Sequence, residues 1–483
     1  MNNQTILIPI NNGIAYRYIC QTEIFSSIQK QAKKVIILVP NPSDSFYNKL
    51  RKYNNVIIED YKEGDYENYI KSSKIHNLLR LSSSFIQNAK YDITTTKGHH
   101  AVFINDYRNN NQRLKSKIFL LIINQLVFWG RQIKMVRKSI LLLENLFFTP
   151  HIHKDLFNKY KPDLLLVTSL GTFNYDQLFM RQAKKNQTKV VSLILSWDNT
   201  TTRGYPSAKS DLIITWSDIM KKELIQLSDI DKSKIEIGGV AHYDMYFKKN
   251  LLYSRDELFN ILGIDKELNL IFFATKSPNC YVSNEYVSQL IIDAINSKKL
   301  IKECQLLVRL HPIYYRINNS EQIYSNFIQN FEKLSKRNKR LTLNQPKIES
   351  KSINYAMADD EIKLLSSILM HSSIVVNVFS TLNIEASIFD IPTVNISFEG
   401  KIPNNLKKAR LNINQDLNET HNQRIVKSGG VEMVYDPQKL ITSINAELLN
   451  PHKRKQGRKT IIKNEIGLNH GSAGQKIAEI IFN

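Results

Sequence analysis

Short apolar runs separated by amphipathic stretches set the rhythm of this chain. Residues 6–10, 35–39 and 56–58 are aliphatic and β-branched runs of strand length, and 22–31 has helical spacing. A helical region then leads into the apolar run 101–104. The alternation resumes with strands at 163–168, 190–195, 212–215 and 235–237 and a helix at 175–185. It breaks after Gly238-Gly239-Val240-Ala241-His242-Tyr243-Asp244, where 245–268 takes on helical periodicity with Gly263 near its end. A second series follows, with strands at 270–274, 306–310, 341–343, 374–379, 393–396 and 433–435. Helices are expected at 286–295, 363–370 and 437–449, and a last one at about 473–481. Strands that alternate with helices predict parallel sheets covered on both faces. The expected fold class is therefore α/β, with two doubly wound domains over 1–245 and 246–460. Their ligand is expected in a cleft at the carboxyl ends of the strands. Residues 461–483 are expected to carry a helix that packs back toward the first domain.

One segment departs from this rhythm. Within 113–148, Lys115, Lys117, Arg131, Lys134, Arg137 and Lys138 bracket the apolar blocks 118–123 and 126–129. A basic amphipathic helix of this kind can lie in a membrane interface, apolar face down, with its cations on anionic headgroups. The other reading is a core helix with solvated ends.

Composition narrows the class. A chain of 483 residues exceeds one typical core, and 42% hydrophobic with 10% aromatic content is that of a globular protein. The net charge of +22 implies an anionic partner: a nucleotide, a phospholipid surface or a nucleic acid. The basic residues are dispersed and form no nucleic-acid-binding module, so nucleic acid is not an expected partner. Cys20, Cys280 and Cys304 are widely spaced, which argues against a zinc or disulfide framework and for a reducing compartment. The first residues run straight into a strand, and no apolar run has the length of a membrane span. The expected location is the cytoplasm, peripheral on the inner face of the membrane.

The candidate chemistry lies at strand ends. After the apolar run 374–379 comes Ser380-Thr381-Leu382-Asn383-Ile384-Glu385-Ala386. Ser380 and Thr381 stand where a strand feeds a helix N-terminus, whose N–H groups and dipole favour phosphate. Glu385, one turn further on, can accept hydrogen bonds from a ribose diol. Lys276, after the first strand of this half, can neutralise a diphosphate. Arg309 and His311 close the next strand and offer donors to a phosphate or a sugar hydroxyl. Each has a structural reading as well: an N-cap, a solvated loop lysine, a loop-packing histidine.

The ordered set Lys276, Arg309-Leu310-His311-Pro312 and Ser380-Thr381-x-x-x-Glu385-Ala386 resembles the donor site of GT-B glycosyltransferases. The resemblance includes the CDP-glycerol glycerophosphotransferase-like group, with its Arg-Pro-His-Pro element. It extends over 270–483, although His470-Gly471 stands where the family often has Asp-Gly. It implies a GT-B fold of two Rossmann-like domains, a nucleotide-sugar co-substrate, and a lipid-linked or oligosaccharide acceptor. It also implies transfer without a metal or other cofactor. In Tyr355-Ala356-Met357-Ala358-Asp359-Asp360 it sets an acidic residue near the base, where an N-cap is the plainer reading.

In the first half, Ser196-Trp197-Asp198-Asn199 resembles an element of surface-polysaccharide transferases. Trp197 is then a platform for a sugar face. Asp198 is the general base, sharing catalysis with His311, and Asn199 an acceptor contact, unless Asp198 and Asn199 only shape a turn. Asn12 and Gly13, after the first strand, and His99 in Lys97-Gly98-His99-His100 complete the expected acceptor side. Thr168, Ser169 and Gly171 also follow a strand and are candidates for its floor. The implied reaction is sugar transfer to a surface glycan. Alternatives are a polyol-phosphate transferase and a sugar-nucleotide 2-epimerase on the same fold. The epimerase is disfavoured because the first half lacks its acidic and histidine cluster.

Overall fold

The computed structural model describes residues 3–91, 93–111, 114–172, 175–318, 321–350, 352–354, 356–400 and 412–483, with backbone alone at 317, 318 and 321. Arg113, where the basic segment 113–148 begins, and Tyr355 lie outside the described residues. The chain divides into two compact units, Met1–Ala241 with Gly467–Asn483, and His242–Ile466. The sequence pattern puts these crossings at 245/246 and 460/461, the first four residues later and the second six residues earlier.

The first unit is built on a parallel sheet. Its strands are β1 Thr5–Pro9, β2 Lys34–Val39, β3 Val56–Asp60, β4 Leu164–Val167, β5 Lys189–Leu193, β6 Leu212–Thr215 and β7 Ile235–Ile237. They lie in the order β3-β2-β1-β4-β5-β6-β7, with Leu7 opposite Ile36 on one side and Leu165 on the other. Ile36, Leu38, Leu165, Val167 and Val190 are fully buried, as both-face coverage of parallel strands requires. The helix Ala473–Phe482 packs on the helix Glu23–Gln31 of this unit. A Cβ on Gly474 would meet the Glu23 Cβ at 2.9 Å, so only glycine permits the approach. The chain returns to this unit at Gly467, whose φ of +78° and 2.3 Å clearance to the Trp216 carbonyl oxygen exclude a side chain.

Among the described residues between β3 and β4 stand six α-helices: Glu63–Ser72, Lys74–Phe85, Thr94–Asn110, Leu114–Gln132, Lys134–Phe147 and Lys154–Tyr160. The run 101–104 falls inside the third of them. The basic segment is two helices rather than one, broken at Ile133, where the backbone turns extended. Leu79, Phe85, Ile86, Ile123, Val127 and Ile140 form a small core of their own among these helices. Two buried ion pairs anchor this layer. Arg137 Nε meets Asp229 Oδ2 at 2.7 Å, and Arg181 Nη2 meets Glu144 Oε1 at 3.1 Å. Arg137 is thus a correction to the interfacial reading: it is buried and neutralised. Arg131 is half-buried and donates from Nε to the Phe85 carbonyl and from Nη2 to the Thr96 carbonyl.

The second unit repeats the architecture. Its strands are β8 Asn269–Ala274, β9 Cys304–Arg309, β12 Leu341–Asn344, β13 Ile374–Asn377, β14 Thr393–Ile396 and β15 Glu432–Val434, and β10 Ile317–Asn318 with β11 Glu321–Gln322 forms a separate antiparallel pair. The parallel sheet has the order β12-β9-β8-β13-β14-β15. The order reverses between β8 and β13, where Phe272 lies opposite Val375, and this is the topological switch point. The helix Arg255–Leu262 opens with a Ser254–Glu257 capping box and closes on Gly263 in the left-handed region.

Arg137→Ala leaves Asp229 buried without its counter-ion, and is expected to destabilise the first unit by ~3 kcal/mol. Lys138→Ala, at an exposed neighbour, is expected to stay within about 0.5 kcal/mol of the parent. Urea unfolding followed by circular dichroism compares the two.

Candidate functional site

Three adjacent strands of the second sheet, β9, β8 and β13, end beside its switch point. Arg309 is the last residue of β9, and the loops that leave the three strands carry His311, Lys276, and Ser380 with Thr381. The structure therefore gathers all the sequence-predicted donor residues except Glu385 on one sheet edge, and Glu385 follows one turn into the helix Leu382–Ile388.

The turn after β13 is held by a buried amide network. Phe379 sits at φ +38°, a left-handed conformation uncommon for a bulky residue. Its N–H donates to Asn395 Oδ1 on β14 at 2.9 Å. Asn383 Nδ2 donates to the same oxygen at 3.1 Å, and Asn377 Nδ2 donates to Asn383 Oδ1 at 2.9 Å. All three asparagines are fully buried. The network fixes the reversal that delivers Ser380 and Thr381 to the sheet edge. Ser380 Oγ accepts from the Leu382 N–H at 3.3 Å, and the Thr381 hydroxyl donates to Glu385 Oε1 at 2.7 Å. Glu385 Oε2 accepts from the Tyr246 hydroxyl at 2.5 Å. Glu385 is buried, and each of its oxygens already holds a hydroxyl donor. In this arrangement it braces Thr381 and Tyr246 rather than offering an open carboxylate.

The cations are also engaged. Lys276 Nζ is paired with Asp416, whose carboxyl is raised by burial, against the opposing pull of Lys276. Arg309 is buried and holds Glu361 and Asn344, while the other Glu361 oxygen accepts from the Lys347 N–H at 3.0 Å. Neither of the two cations named for a phosphate is unpaired. Each was placed beside a carboxylate that lies far off in sequence. Asp360, at the N-cap position of the helix Glu361–His371, makes no capping bond; the acid that matters there is Glu361.

His311 Nδ1 accepts from the Ile313 N–H at 3.1 Å, so in this geometry the ring is neutral with its proton on Nε2. Desolvation and then the Lys276 charge push the imidazole down to about 4. The residue stays exposed at the sheet edge. His311 can donate from Nε2. With its Nδ1 lone pair taken by the Ile313 N–H, the ring is not placed as a general base.

The first unit has its own pocket beside its switch point, where β1, β4 and β5 end. Asn12, Thr168, Ser169, Ser196, Asn199 and Arg203 are among its lining residues, and it holds about 70 Å³. Asn12 and Asn199 are therefore brought together. The other acceptor residues are not. Asn12 Oδ1 also caps the helix Gly13–Cys20 through the Ala15 N–H at 2.9 Å, with Gly13 buried as its first residue. Trp197 is only 4% exposed, so it packs inside and presents no platform. Asp198 accepts from the Ser196 hydroxyl and, at 3.1 Å, from the Thr202 hydroxyl, and it heads the short helix Asn199–Thr202. It is a turn-shaping residue and does not line the pocket. His99 lies on the helix Thr94–Asn110, away from the pocket's lining.

A pair unnoticed in the sequence lies here. The Ser169 hydroxyl, in the pocket wall, donates to Asp176 Oδ2 at 2.8 Å. Burial raises the Asp176 carboxyl to about 7. In sequence Asp176 reads as an ordinary acid at a helix start, and only burial distinguishes it.

No protein-family model and no curated protein matches the chain. Solved structures do. The S. aureus MnaA–UDP co-structure superposes with a TM-score of 0.54 at 10% identity, over 98% of this chain and 94% of that one. UDP-GlcNAc 2-epimerase from Neisseria meningitidis bound to UDP-GlcNAc gives 0.52 at 12%, over 99% of each chain. The enzyme of that name from Methanocaldococcus jannaschii gives 0.51 at 14%, over 99% of this chain and 98% of that one. The likeness is to the fold. The chain has the GT-B fold, with two Rossmann-like units.

Asn395→Leu keeps the volume and removes the acceptor shared by Phe379 and Asn383. It is expected to cost ~2 kcal/mol and to speed hydrogen exchange at the Phe379 amide well beyond that of β8 amides. Mass spectrometry of exchanged peptides checks this.

Proposed function

We propose that the chain is a glycosyltransferase that holds a nucleotide-sugar at the carboxyl edge of the second sheet and passes the sugar to a hydroxyl acceptor. The observation that carries this reading is the convergence of the β8, β9 and β13 loops beside the switch point. That is the edge where open α/β sheets receive phosphorylated ligands. Ser380, Thr381 and the His311 Nε2–H supply neutral donors to the leaving diphosphate. Lys276 exchanges Asp416 for a phosphate oxygen as the donor arrives. No metal is assigned a part, since donors and one mobile cation cover the developing charge.

The pocket of the first unit is assigned to the acceptor hydroxyl. Its proton passes to Ser169 Oγ as the Ser169 proton passes to Asp176, whose carboxyl is poised near neutrality by burial. The acceptor class is a lipid-linked or oligosaccharide surface glycan, which sets the enzyme on the anionic inner face of the cytoplasmic membrane.

A second reading is favoured by one observation: the three solved structures above are all 2-epimerases or bear their ligand UDP. A 2-epimerase would invert C2 of a nucleotide-sugar and keep the sugar on its diphosphate, whereas a transferase releases the diphosphate. A thermal-shift panel of UDP, GDP, CDP and CMP comes first. Stabilisation of about 3 kcal/mol is expected at a hundredfold excess over Kd for UDP or GDP. A response to cytidine nucleotides alone would favour polyol-phosphate transfer. With the responding nucleotide-sugar, chromatography then distinguishes free diphosphate from an epimerised donor. Asp176→Asn, which keeps an acceptor for Ser169, is expected to cut transfer at least about a hundredfold with donor affinity unchanged; wild-type turnover would remove Asp176 from the mechanism.

A further inference from the structure

The helical layer of the first unit contains an open pocket of about 680 Å³, within the size range of small-ligand sites. Lys90, Lys97, His100 and Arg131 line it together with the amides of Asn88 and Asn124, and among the described residues none that lines it is acidic. Arg131 is fixed in the wall by its two carbonyl contacts, at 3.0 and 3.2 Å. His100 Nε2 is buried with no hydrogen-bond partner among the described residues. A buried ring nitrogen without a partner has a hydrogen bond left to make, and in its Nε2–H tautomer it donates to an anionic oxygen held by the cations of the same pocket.

An apolar stripe runs to the mouth of this pocket. On the helix Leu114–Gln132, the residues Leu114, Ile118, Leu121 and Phe128 are exposed at spacings of a single helix face, and Phe128 also lines the pocket. Trp129 beside it is 49% exposed. Met135, Leu146 and Phe147 are exposed on the following helix. The only acid in the two helices, Glu144, is fully buried against Arg181. Exposed apolar side chains accompanied only by positive charge match the boundary between acyl chains and anionic headgroups, and an acidic protein partner would give the stripe nothing to bind.

We propose that this pocket is a binding site for the phosphate headgroup of a membrane lipid, with the Leu114–Phe128 stripe and Trp129 seated in the interface around it. Lys90 and Lys97 neutralise the phosphate, Arg131 donates from its wall position, and His100 donates from Nε2. The inference deepens the membrane-surface part of the proposed function and rests on it. It does not depend on the donor chemistry, which a UDP thermal shift on the same samples reports separately.

The test is flotation of the full chain with vesicles of phosphatidylcholine alone or with one fifth phosphatidic acid. Binding is expected only to the anionic vesicles. The double variant Lys90→Gln/Lys97→Gln is expected to weaken it about thirtyfold, two charges near the surface each contributing ~1 kcal/mol. Lys115→Gln/Lys117→Gln removes the same charge from the same helical layer outside the pocket, and is expected to weaken binding less than about fivefold. Phe128→Ser/Trp129→Ser is expected to abolish flotation while preserving the circular dichroism spectrum. Equal losses from both lysine pairs would overturn the pocket in favour of a diffuse basic surface. Stabilisation by inorganic phosphate without flotation would overturn the lipid in favour of a free anion. Absence of both would overturn the site.

Discussion

Parallel strands buried on both faces impose one constraint from which the rest of this molecule follows. Every strand in such a sheet leaves at the same edge, so every loop that can carry chemistry emerges there. Each unit then reverses its strand order once, between β1 and β4 and between β8 and β13. At a reversal, neighbouring loops diverge to opposite faces and leave an opening. Asn12, Thr168 and Ser196 stand at the first opening, and Lys276, His311 and Ser380 at the second. Identical sheet logic thus makes two unlike loop edges, one rich in hydroxyls and one rich in charge.

The charge at the second opening is balanced. Lys276 has Asp416, and Arg309 has Glu361 and Asn344. A guanidinium as buried as Arg309 is tolerable only with its counter-ion, so it works as a strut between β9, β12 and the helix Glu361–His371. Lys276 is more exposed than its partner and keeps a flexible stem, which makes it the cation able to change partners. The Asn377–Asn383–Asn395 network supplies rigidity of another kind. It stabilises a left-handed Phe379 that isolated chain would rarely adopt, and so presents Ser380 and Thr381 in one geometry.

The helical layer between β3 and β4 follows a different rule. It is tied to the first unit by buried ion pairs, while its outer stripe stays apolar and basic. Arg137 and Arg131, which read as surface cations in the sequence, split into an anchor and a pocket wall.

Alternating periodicity was legible in the chain because it is local: strand runs such as 35–39 and 374–379, the latter a strand as far as Asn377, and helix faces such as 473–481 announce themselves within a few residues. From it came the class of fold, two tandem sheets, and the positions of Lys276, His311, Ser380 and Thr381 at strand ends. Tertiary structure alone decided what those residues do. Arg309 meets Glu361 across 52 positions, Arg137 meets Asp229 across 92, and Lys276 meets Asp416 across 140. No local pattern encodes such pairings, because they depend on how whole elements stack. The same holds for burial. Trp197 and Asp198 sit in a polar loop that reads as open, yet the fold closes over the ring and binds the carboxylate into a turn. Asp176 reads as an ordinary helix-start acid, and only its enclosure in a low-dielectric site changes its proton affinity.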